Sequence, residues 1–156
     1  MDRFDPNEWT KQFVRQEPEF CMDILRQINA TVIDLVREED YAPAVAGLDR
    51  ILNGLITFQN AGANVKPHLC MFSWMEAEII AFGVDAPEEN CRATAIQLYE
   101  DARDFAKSEN TRDNISELIS ILRSRTPLSV LRQERGTDFA EEIASVLEDL
   151  QRQLIA

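Results

Sequence analysis

The chain has 156 residues, 16 basic and 28 acidic, for a formal net charge of −12. That length accommodates one domain, residues 1–156, with a core that needs neither disulfide nor metal. The acidic balance repels nucleic-acid phosphates and anionic membranes, and leaves a basic protein partner or plain solubility as its use. With only 5 Gly and 6 Pro, and no stretch alternating apolar and β-branched residues with polar ones, the expectation is an all-α fold.

The opening residues, Met1 to Trp9, lack the apolar core of a secretory signal, and no run approaches the about 18 apolar residues of a membrane span. Residues 1 to 18 carry Trp9 and Phe13 between Pro6 and Pro18, which predicts a short helix over 7–15 in a loosely docked arm. From Glu19 to Glu39, Ile24, Leu25, Ile28, Val32, Leu35 and Val36 recur at helical steps. Asp40 and Pro43 start the next helix, with Val45, Leu48, Leu52, Leu55, Ile56 and Phe58 inward and Gly62 at its end. Gly47 and Gly54 share a side of it and point to a close helix crossing.

Pro67 to Gly83 is apolar on nearly every side, so the chain is organised around it. Proline in the first turn and a left-handed glycine at the end bound a helix whose main face is Leu69, Phe72, Met75, Ile79 and Phe82. Only Glu76 and Glu78 are expected to reach water. Two readings of its flank stand side by side: core packing, or a groove of His68, Met71, Trp74 and Met75 for a partner helix or an apolar ligand.

Pro87-Glu88-Glu89 opens a helix with Cys91, Ala95, Leu98, Ala102 and Phe105 inward. Asn110 and Asp113 form a capping box for a helix to about Arg123. Thr126-Pro127 starts a short helix that Gly136 ends, and Thr137 caps the last one, with Phe139, Ile143, Val146, Leu147, Leu150 and Leu154 inward. About six main helices plus short ones, on short connections, predict an irregular antiparallel bundle. The alternative is a short stack of helical hairpins, since hairpin starts near Glu19, Pro67 and Asn110 lie 48 and 43 residues apart.

Chemistry is sparse. A single histidine, His68, rules out schemes that need two, and no phosphate loop or nucleophile elbow is present. His68 and Cys70 with Cys21 and Cys91 make a poor zinc pattern, so no metal or other cofactor is expected and the cysteines read as reduced core thiols of a cytoplasmic protein. Carboxylates cluster as Glu100, Asp101 and Asp104, and as Glu141, Glu142, Glu148 and Asp149; these are solvated faces or an acidic docking face. Arg123, Arg125, Arg132 and Arg135 reverse the local sign, either as partners of neighbouring acids or as an anion site. The function expected is a non-enzymatic interaction module, an adaptor, inhibitor or immunity-type partner of a basic protein. The alternative is a bundle that binds a small molecule in an apolar pocket. No nucleic-acid or membrane partner is expected, and a homodimer is compatible with either.

Overall fold

The structure, a computed structural model, describes residues 18–155. The expected arm over 1–18 falls outside them except for its last residue, and the side chains of Phe20 and Cys21 are likewise not described. The described residues are all-α, with seven helices and no strand: α1 Pro18–Arg37, α2 Tyr41–Asn60, α3 Lys66–Phe82, α4 Glu88–Phe105, α5 Glu109–Arg123, α6 Leu128–Arg135 and α7 Phe139–Ile155. Connections of three to five residues join the helices, and from α1 to α5 each helix packs against the next as an antiparallel neighbour.

The helices close into an irregular bundle. In an open stack each unit meets only the next one, whereas here α7 returns to pack on α1, and α3 touches α2, α4, α6 and α7. Two cores result, with α3 as their common wall. On one side Leu69, Phe72, Met75 and Ile79 join the apolar faces of α1, α2 and α7. On the other, Cys70, Ala77, Ile80 and Ala81 join α4, α5 and α6. A helix that serves two cores must be apolar around most of its circumference, which is why α3 shows so little amphipathic pattern.

Helix ends follow local chemistry, with corrections to what the sequence suggested. Gly62 and Gly136 are left-handed, with φ of 101° and 90°. Gly83 is not: at φ −119° it is right-handed, and its need for glycine is space, because a Cβ there would stand 2.9 Å from the Tyr41 ring. The cap of α5 is Ser108, whose Oγ accepts from the Thr111 N–H, rather than an Asn110–Asp113 box. The α1 terminus is a Schellman turn: the Asp40 N–H reaches Leu35 O and the Glu39 N–H reaches Val36 O. Glu39 takes the left-handed position at φ 59°, where glycine is the favoured residue.

Side chains pin α7 down. Asn29, fully buried, donates to Leu147 O at 3.1 Å and to Gln151 Oε1 at 2.9 Å, and Gln151 donates back to Arg26 O. Arg26 in turn donates to Leu154 O. Arg37 is gripped by Glu141 and Glu148. Cys70 and Cys91 are free and buried, as expected, and burial raises the Cys70 thiol pKa. In a Cys21→Ser background, both should therefore react with a thiol reagent only at the rate of unfolding, and promptly in denaturant. Immediate native-state labelling of either one would contradict their burial.

Candidate functional site

Glu76 and Glu78 do not reach water. They are 2% and 6% exposed, because α3 is surrounded by four helices and has no solvent side at that level. Glu78 accepts from Trp74 Nε1 at 3.1 Å and lies 3.7 Å from the Arg135 guanidinium. Tyr99 is fully buried nearby, and burial and the Glu78 charge hold its hydroxyl pKa well above the usual value. Glu76 is pushed up to about 10 by burial, reinforced by Asp49, so it carries its proton at neutral pH.

The groove reading of His68, Met71, Trp74 and Met75 does not assemble as one surface. Met75 is in the first core. Trp74 packs against both cores with its N–H tied to Glu78, and Met71 is half-buried against the first. His68 is half-buried with both ring nitrogens unpartnered, and burial lowers its pKa and favours the neutral ring. Among the described residues no cluster of three or more His, Cys, Asp or Glu is arranged to hold a metal ion. Nor is any described helix long and apolar enough to cross a membrane.

A groove does exist one face further round. Leu69 and Ser73 of α3 form its floor, Leu52 and Ile56 of α2 one wall, and Leu98 and Phe105 of α4 the other, enclosing about 270 Å³. Asp101 and Asp104 stand on its rim. Ile56, expected inward, is instead 43% exposed because α2 turns it into this groove rather than into either core.

The acidic residues behave differently from one another. Glu141 and Glu148 hold Arg37, Glu142 pairs with Arg135 at 2.5 Å, Asp149 pairs with Arg152, and Glu100 pairs with Arg123 at 2.7 Å. The two clusters sit on α4 and α7, on opposite sides of α3, and make no single face. Asp101 accepts only from the neutral Gln97, and neither it nor Asp104 forms an ion pair among the described residues.

The four arginines also divide. Arg123 pairs with Glu100, and Arg125 is exposed. Arg132 and Arg135 meet in a second cleft of about 280 Å³ between the ends of α1, α3 and α6 and the starts of α2 and α7. Its aromatic lining is Tyr41, Phe82 and Phe139; the Phe139 ring lies 6.0 Å from each of the other two. Arg132 donates to Ala81 O and Val84 O, and Arg135 lies over Phe139 at 5.3 Å.

Sequence reasoning did not find Tyr99 or the cleft aromatics as site residues. The steps Cys91, Ala95, Tyr99, Ala102 carried the signal for Tyr99; the cleft joins residues far apart in the chain and had none. Compared with protein-family models, with curated proteins and with solved structures, the chain finds no match.

Proposed function

We propose that this chain is a protein-interaction module whose groove between α2, α3 and α4 receives an amphipathic helical segment of a basic partner. Supporting this is one contrast: Asp101 and Asp104 stand unpaired beside an apolar groove, whereas the acids on α7 and Glu100 are held by the chain's own arginines. Leu52, Ile56, Leu98 and Phe105 offer walls for two apolar side chains one turn apart, and the rim carboxylates favour Lys or Arg flanking them. Charges at such a rim steer encounter and set orientation, and the apolar floor supplies burial.

The test is fluorescence anisotropy with a labelled Leu- and Lys-rich amphipathic peptide. Asp101→Asn with Asp104→Asn should weaken binding at low salt by about tenfold, and Ile56→Lys by at least as much. Both sites are solvent-accessible, so folding should be retained. Neutralising Asp149, which lies outside the groove, should change affinity by less than about twofold. Equal loss from Asp149→Asn and from the rim pair would reduce the interaction to nonspecific charge and overturn the assignment.

A further inference from the structure

The aromatic cleft carries an inference independent of the groove. Arg132 uses two of its five N–H donors on the neutral carbonyls of Ala81 and Val84, so three are left over. No carboxylate comes within ion-pair distance of it among the described residues; its charge reaches Glu88, whose pKa it helps to lower, after the Leu128 N–H, without a direct contact. Glu39 lines the same cleft and likewise forms none of these ion pairs. Two opposite charges thus face one cavity without pairing with each other. Arg135 differs: Glu142 and Glu78 balance it, and it fixes the Phe139 ring from above.

We infer that the cleft binds a zwitterionic α-amino acid with a flat apolar side chain. Its carboxylate meets the spare donors of Arg132, its ammonium meets Glu39, and its side chain lies against the surface that the packed Tyr41, Phe82 and Phe139 rings present to the cleft. A ligand with both charges satisfies both cleft groups at once, whereas a simple anion would also meet the Glu39 carboxylate and a simple cation the Arg132 guanidinium. The cavity volume of about 280 Å³ is near the small end of ligand sites, about 300 Å³ and upward, and so suits a molecule of this size. Glu39 is also the one non-glycine residue with positive φ among those described, in a turn position that favours glycine. A carboxylate stands there at a conformational cost, and it lines the cleft.

Calorimetry on the full chain decides the matter with three probes: L-phenylalanine, its amine analogue phenethylamine, and its acid analogue 3-phenylpropionate. Phenylalanine should bind about tenfold or more tightly than either analogue. Arg132→Gln should erase its advantage over the amine. Because Arg132 also holds the end of α3, that variant's fold is checked by circular dichroism, and exposed Glu39→Gln supplies an independent arm. In Glu39→Gln the advantage over the acid should collapse. Binding of 3-phenylpropionate as tight as that of phenylalanine overturns the inference. So does full retention of the preference in Glu39→Gln, and so does failure of all three probes to bind at millimolar concentration.

Discussion

Phe72→Ala should remove about 3 to 5 kcal/mol of stability, a large part of what a domain of this size has to lose. Phe72 is fully buried at the middle of α3, where the helix faces the core shared with α1, α2 and α7. Truncation loses the transfer free energy of the ring and leaves a void that three packed helices cannot collapse into. Trp74 is the informative companion. It is only half-buried, yet it touches both cores and its N–H is the hydrogen-bond donor to buried Glu78. Trp74→Ala should therefore cost about 3 kcal/mol as well, part of it from the partner removed from a buried carboxylate. Urea unfolding measures both, and a Trp74→Ala protein as stable as the parent would restore the exposed-groove reading of that side chain.

The second large effect is on pH. Glu76 titrates near 4.5 when unfolded and is pushed up to about 10 when folded, so folding takes up a proton between those values. The stability of the protonated form is fully present below pH 4.5 and declines as pH rises toward 10. The slope approaches about 1.4 kcal/mol per pH unit for a single group, so the decline by pH 7 is about 3 kcal/mol. Glu76→Gln keeps the shape and removes the titration. It should flatten the stability profile across this window and be the more stable protein at pH 8. Denaturant midpoints measured from pH 5 to 9 check it; parallel profiles for parent and variant would place Glu76 in contact with water.

These two side chains show how far the sequence could be read. The spacing of Leu69, Phe72, Met75 and Ile79 gave their common face, and the all-round apolarity of Pro67 to Gly83 gave the central position of α3, because both depend on a helix's own periodicity. The fates of Glu76 and Glu78 depend on neighbours: a carboxylate is expected outward until four surrounding helices leave no outward direction. Gly83 shows the same limit. Its place at a helix end suggested a left-handed turn, but the reason for glycine is the ring of Tyr41, which belongs to the start of α2. Candidate sites were least legible. Ile56 reads as core by spacing and becomes a groove wall only because α2 and α4 flank α3, and Arg132 and Arg135 separate from Arg123 and Arg125 only once their partners are placed.

The proposed function is tested most directly by a two-dimensional NMR titration of the full chain with the Leu- and Lys-rich amphipathic peptide. The account predicts shifts concentrated on Leu52, Ile56, Leu69, Ser73, Leu98 and Phe105, the groove between α2, α3 and α4, and their loss when Asp101 and Asp104 are both neutralised. Shifts centred instead on Glu141, Glu148 and Asp149 of α7, or persisting unchanged in the Asp101→Asn, Asp104→Asn protein, would contradict it.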